Sequence, residues 1–376
     1  MLNIKSKRTS TGFDIFFRGK RYPLSYEKGH WGKIPEDLKE TLQRNLTLLS
    51  TIHLPLLFRE EKISYDMGFP IFETFIYQNM VYNIPKFTGQ KTTEAIKNFM
   101  NIEFEYQNYD FEIPQCSFTP ENKVIIPFSF SKEQILSLAL CNEIGIDATL
   151  VNIEDSKLNI QGDFFKQGFS IEHIENKTGL LKNDLGFGLG YKNMESCLLL
   201  STYLINKNAK LILHDNKQEN NNINFDDEGF ICYPSFDKSN QSLLQHDSMI
   251  KILTDNKCGV SSFVGPLSDI GIVKVLKHRY PNLAKFAQLK NDKDKFRILS
   301  KTNEGDYRRD EHLLSFYLDY KNGEKGGLIN EFKKKFLKEA VDREDELIKS
   351  YLSIRSADSI PKDMKKEVLS IFKEAL

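Results

Sequence analysis

Apolar positions along the chain switch between two periods, and the switches mark out its elements. Val124-Ile125-Ile126 is a continuous apolar run that stops at the small-residue turn Ser129-Phe130-Ser131. Ile135, Leu136, Leu138, Ala139 and Leu140 then follow at helical spacing, and a second apolar run covers Ala148 to Ile153. Strand, tight turn, helix and strand in this order predict an α/β doubly wound, mostly parallel sheet, with the turn at the carboxyl end of the first strand. The alternation continues with a helix over about Met194–Asn206, a strand over Lys210–Leu213, and helices over Gln241–Asn256 and Ser268–Arg279, the last ending before Pro281.

The flanks differ in pattern. Phe13–Phe17 and Arg21–Leu24, around Gly19-Lys20, predict an N-terminal hairpin, and Leu38, Leu42, Leu46 and Leu49 predict a helix. Thr92–Asn101 reads as another helix, while Pro55, Pro70 and Pro85 divide the intervening chain into short strands or loops. The alternation of Tyr65, Phe69, Phe72, Phe75 and Tyr77 favours a core strand. Phe111–Asn122 reads as a linker. At the other end, Leu328, Phe332, Phe336, Ala340, Val341, Leu347, Ile348 and Tyr351 form one apolar stripe, and Pro361 opens a final amphipathic helix. The predicted organisation is an N-terminal α+β module over 1–120, an α/β domain over 121–325 and C-terminal helices over 326–376 packed on it.

Composition narrows the function classes. The 52 basic and 52 acidic residues of the 376 balance, so no global field selects nucleic acid or an anionic membrane. No apolar run approaches the ~20 residues that span a bilayer, and Met1–Gly12 carries no apolar leader segment. Five scattered cysteines without C-x-x-C spacing point to reduced thiols and a cytoplasmic protein. Gly186-x-Gly188-x-Gly190 has no apolar strand before it and lacks dinucleotide-loop spacing, so it reads as a flexible turn. His53, His214, His246 and Asp247 offer acid–base chemistry, but nothing in the sequence brings them together.

The turn after the first strand carries most of the candidate chemistry. Ser131-Lys132-Glu133-Gln134 forms a capping box, serine at the N-cap and glutamine three residues on, with Glu133 complementing the helix dipole. The six residues Ser129-Phe130-Ser131-Lys132-Glu133-Gln134 also resemble the S-G-G-x-D-S pyrophosphate loop (PP-loop) of the N-type ATP pyrophosphatases. Over roughly 123–320 the chain resembles the 7-cyano-7-deazaguanine synthase branch of that superfamily and its muramoyl-dipeptide glutamate epimerase relatives. The resemblance implies an adenine nucleotide alpha-hydrolase-like fold, ATP and Mg²⁺ as ligands, and Ser129, Ser131, Lys132, Glu133 and Gln134 as nucleotide-binding residues. It further implies a second nucleotide loop at His214, Asp215 and Asn216, where a G-N-E-like turn is expected. Tyr233–Ser239 resembles a third, polar loop.

The departures from that pattern form a consistent set. Phe130 and Ser131 stand in place of glycines, Glu133 in place of aspartate and Gln134 in place of the phosphate-binding serine. Asp215 and Lys217 replace glycine and glutamate in the second loop. The branch's zinc-binding cysteine cluster has no counterpart over Ser300–His312, since no cysteine follows Cys258, so no zinc and no metal ligands are assigned. No catalytic residue is assigned either. The resemblance thus implies a degenerate, non-catalytic or weakly catalytic protein acting with a protein partner or paralogous subunit. The alternative is a live ATP-dependent adenylating enzyme that releases AMP and pyrophosphate, with Lys132 steadying the leaving group and Glu133 holding Mg²⁺.

Overall fold

The computed structural model describes residues 1–87, 91–154, 162–178, 192–221, 223–287, 327–343 and 352–376, with the isolated positions 296, 299, 300, 313, 316, 317 and 320. The Gly186–Gly190 turn, the Asp306–His312 stretch and the 344–351 part of the C-terminal stripe lie outside the described residues. The chain opens with β1 (Leu2–Arg8), β2 (Gly12–Phe17) and β3 (Lys20–Tyr26), followed by α1 (Glu36–Thr51), β4 (Lys62–Tyr65), α2 (Glu73–Phe87), α3 (Thr92–Met100) and β5 (Glu103–Glu105). Then come β6 (Glu121–Pro127), α4 (Lys132–Glu143), β7 (Asp147–Glu154), β8 (Ile171–Asn176), α5 (Lys192–Lys207) and β9 (Ala209–Leu213). A small hairpin of β10 (Asn224–Phe225) and β11 (Ile231–Cys232) precedes α6 (Asn240–Leu253), β12 (Gly259–Ser261) and α7 (Asp269–Arg279). The end of the chain carries α8 (Gly327–Lys335), α9 (Leu337–Asp342) and α10 (Lys365–Ala375).

Ten strands form one mostly parallel sheet in the order β12-β9-β6-β7-β8-β3-β2-β1-β4-β5. From β12 to β8 every neighbour is parallel, and the chain runs β6, β7, β8 in one direction before returning to β9 and β12 on the other side of β6. This α/β arrangement is compatible with a Rossmann-like doubly wound fold, with the reversal of strand order between β6 and β9. The period-2 alternation of these strands sorts their side chains onto two faces. Ile125 and Ile212 enter a core with α1, α5 and α6, whereas Val124, Ile126, Leu211 and Leu213 enter another with α4, α7 and α10. A third cluster joins Phe332 and Ala340 of the C-terminal helices to Phe316 and Tyr317.

The N-terminal 120 residues share both sheet and core with the rest. β3 pairs antiparallel with β8, Leu24 opposite Asn176 and Tyr26 opposite Ile174. Phe13, Ile15, Leu24 and Leu42 belong to the same buried cluster as Leu199, Tyr203 and Val260. Their hairpin turns at Arg18-Gly19, both with positive φ (48° and 78°), as a two-residue turn matched to strand twist requires.

The stretch Tyr65–Tyr77 differs from the core strand that its aromatic alternation predicts. Only Tyr65 of the aromatic series Tyr65–Tyr77 lies on a strand; Phe75 and Tyr77 are on the helix α2, which continues past Pro85. The determining signal is Phe72, Ile76, Met80 and Ile84, one residue per turn and all buried. Pro85 lies in the last turn, so the one i→i−4 bond its missing N–H removes, to the Val81 carbonyl, falls at the helix end. Val341, placed on the C-terminal stripe, is instead half exposed.

Candidate functional site

The carboxyl ends of β6 and β9 lie where strand order reverses, which is where open α/β sheets place their ligands. Residues 128–131 turn sharply from β6 into α4. Phe130 has a left-handed φ of 62°. Its ring is buried against Phe128 and Phe164, with centroids 5.0 Å from each, and this packing fixes a backbone conformation that glycine would adopt without strain. The predicted capping box is formed: Ser131 Oγ accepts from the Gln134 N–H at 3.3 Å, and the Gln134 side chain returns to the Ser131 N–H.

Gln134 does more than cap. Its Oε1 accepts from the Ser129 N–H at 2.6 Å, the Ser129 hydroxyl at 3.2 Å and the Ser131 N–H at 3.4 Å. One amide oxygen therefore sits on the inward-turned donors of the loop, the position an anion takes in a backbone nest. The Phe128 carbonyl is also engaged, by Asn152 Nδ2 at 3.1 Å.

The second predicted loop lies against the first. Lys217 Nζ is 3.8 Å from Glu133 Oε1 and pairs with Asp269, at the start of α7. Lys132 Nζ is 3.0 Å from the same Asp269 oxygen and 3.8 Å from Glu133. Lys238 Nζ donates to Asp215 Oδ2 at 2.6 Å. Burial opposes the Asp215 carboxylate, but Lys238, with His214 and Lys217 adding, holds its pKa below the ordinary value. Burial likewise opposes the Lys238 charge, and Asp215 outweighs it to raise that pKa. Lys132, Lys217 and Lys238 thus face Glu133, Asp215 and Asp269, and among the described residues the crevice charges balance.

His214 and Asn216 point away from the crevice into the protein. Asn216 is fully buried; it donates to the Ser239 carbonyl at 3.1 Å and accepts from Asn193 Nδ2 at 3.1 Å, tying β9 to the starts of α5 and α6. His214 Nε2 lies 2.9 Å from Cys197 Sγ on α5, and its ring centroid is 5.8 Å from that of His246 on α6. Cys197, His214 and His246 present donor atoms all within 4.8 Å of one another and are buried. Burial lowers the His214 pKa to about 4 and puts that of His246 well below the usual value, so both rings are neutral at pH 7. Burial, with Asp237 and Asp247 adding, raises the Cys197 thiol.

His246 does not form a hydrolase triad. Ser242 Oγ at 3.0 Å and Asp237 Oδ1 at 3.6 Å both meet Nε2, whereas a triad needs the carboxylate on the opposite ring nitrogen. Asp237 accepts from the N–H groups of Asn193 and Met194, capping α5. Asp247 instead accepts from the Val260 N–H and pairs with Lys251.

The structure therefore brings the two predicted loops together and reveals partners that motif reading passes over. Asp269 has no signal in sequence beyond lying at a helix start, Lys238 lies within the polar loop Tyr233–Ser239 with nothing to pair it with Asp215, and Cys197 and His246 are separated by 49 positions. Compared with known proteins, the chain matches no family model, no curated protein and no solved structure.

Proposed function

We propose that this chain is a PP-loop-like α/β protein, adenine nucleotide alpha-hydrolase-like in fold, whose nucleotide crevice is filled by its own side chains. It acts through a protein partner, such as a paralogous subunit, with little or no catalysis of its own. The observation that carries the reading is Gln134 Oε1 seated on the Ser129 and Ser131 N–H groups. A triphosphate would have to expel that amide and separate Lys132 and Lys217 from Asp269. Each step opposes binding, and the balanced charges supply no compensating field. The strand order β12-β9-β6-β7-β8 and the placement of both loops at the reversal agree with the resemblance. The role with a partner rests on analogy with degenerate copies that support an active relative.

Calorimetry with ATP and Mg²⁺ tests this directly. The expected result is no binding tighter than ~100 μM, about −5.5 kcal/mol. Tighter binding, together with AMP and pyrophosphate release that Lys132→Ala abolishes, would replace this reading with the adenylating enzyme.

A further inference from the structure

We infer that Cys197, His214 and His246 form a structural site for a single zinc-class divalent ion, buried behind the crevice and independent of nucleotide binding. The three donors come from α5, the end of β9 and α6, so their convergence is a property of the tertiary fold. Zinc holds thiolate sulfur at about 2.3 Å and imidazole nitrogen at about 2.0–2.1 Å, which places donors sharing one ion ~3–4 Å apart. Here Cys197 Sγ and His214 Nε2 are 2.9 Å apart, and all three donors lie within 4.8 Å, so small side-chain shifts bring them onto one ion.

A simple thiol-to-imidazole hydrogen bond accounts for less. It pairs Cys197 with His214 and gives no part to His246, whose buried Nδ1 has no hydrogen-bond partner among the described residues. Three soft or borderline donors around one point, a thiol and two imidazoles, suit a zinc-class ion. Charge closes as well. On binding, the Cys197 S–H bond gives up its proton to solvent and the thiolate forms the sulfur–metal bond, so the ion and thiolate together carry one positive charge. The Asp237 carboxylate, 2% exposed and 3.6 Å from His246 Nε2, offsets that charge. Metal removes the obstacle to a buried thiolate, since the ion replaces the solvation that burial denies it. With all three donors buried, the ion would cross-link α5, β9 and α6 and pin the base of the His214–Lys217 turn.

Metal analysis of the full-length chain and titration of metal-stripped protein with Co²⁺ decide the matter. One zinc per chain, or uptake of one Co²⁺ with a near-ultraviolet thiolate charge-transfer band that Zn²⁺ abolishes, is expected. Cys197→Ser should lose that band, while Cys141→Ser, in the opposite core, should keep it. If Cys197→Ser fails to fold, X-ray absorption of the unmodified Co²⁺ protein must still show one sulfur and at least two imidazole ligands. Protein purified without metal that takes up neither ion below ~10 μM overturns the inference, as does a band that survives Cys197→Ser. Neither outcome bears on whether ATP binds.

Discussion

At the residue scale the crevice turns on two side chains. Gln134→Ala leaves the Ser129 and Ser131 N–H groups without their acceptor and should cost about 1–2 kcal/mol; Ser131→Ala should cost about 1 kcal/mol through the lost cap. Phe130→Gly removes a buried ring, ordinarily about 3–5 kcal/mol, and recovers ~1 kcal/mol because glycine accepts the left-handed backbone. Urea unfolding should therefore show a net loss of about 2–4 kcal/mol with an unchanged slope. Combining Phe130→Gly, Ser131→Gly, Glu133→Asp and Gln134→Ser should lower the melting temperature and introduce an ATP-dependent rise absent from the parent. A large ATP-dependent rise in the parent itself would refute the filled crevice. The capping box was readable because it depends on four consecutive residues. The reach of Gln134 to Ser129 was not, because it depends on the turn geometry that Phe130 fixes.

At the element scale, His30 joins the N-terminal strands to α5. Its Nε2 meets Thr202 Oγ1 at 3.0 Å, and its ring stacks on Tyr203 at 3.9 Å. Burial first, then the Lys207 and Lys33 charges, lowers its pKa to about 4. The unfolded chain takes up a proton near pH 6.5, while the folded chain resists until about pH 4, so the unfolded state binds more protons between those values. Stability should fall as pH drops through that window, and His30→Gln should flatten part of the dependence of the urea midpoint on pH. An unchanged pH slope in that variant would show that His30 charges as readily in the fold as out of it. Helices were the most legible elements: the Leu38–Leu49 pattern became Glu36–Thr51, and Met194–Asn206 became Lys192–Lys207. α2 is less legible because Pro70 and Pro85 flank or interrupt it and mask the four-residue spacing of Phe72, Ile76, Met80 and Ile84. β1 carries only Leu2 and Ile4 as buried apolar residues, too short an alternation to distinguish from polar chain.

At the scale of the whole molecule, the change of pattern near residue 120 does not mark a break in packing. Local periodicity reports which element forms but not which sheet it joins, so the ten-stranded continuity had no signature in the sequence. Removing residues 1–120 would unpair β8 along its β3 side and leave an unprotected edge. It would also strip partners from buried residues of α5, α6 and the turn that precedes α6. The Tyr26 hydroxyl donates to the Leu199 carbonyl at 3.3 Å, the Tyr82 ring stacks on Phe236 at 4.4 Å, and Gln78 accepts from Gln245 at 2.7 Å. Glu228 additionally accepts from the N–H groups of Thr92 and Thr93, each at 3.0 Å, holding the β10–β11 hairpin to the start of α3. Residues 121–376 produced alone should therefore associate or remain without a cooperative melt, as judged by size-exclusion chromatography and thermal circular dichroism. A monomeric fragment that melts cooperatively near the full chain's temperature would instead establish residues 121–376 as a unit that folds without the first 120. In that event their shared core with α5 would be an interface between domains, free to serve as the surface through which a partner acts.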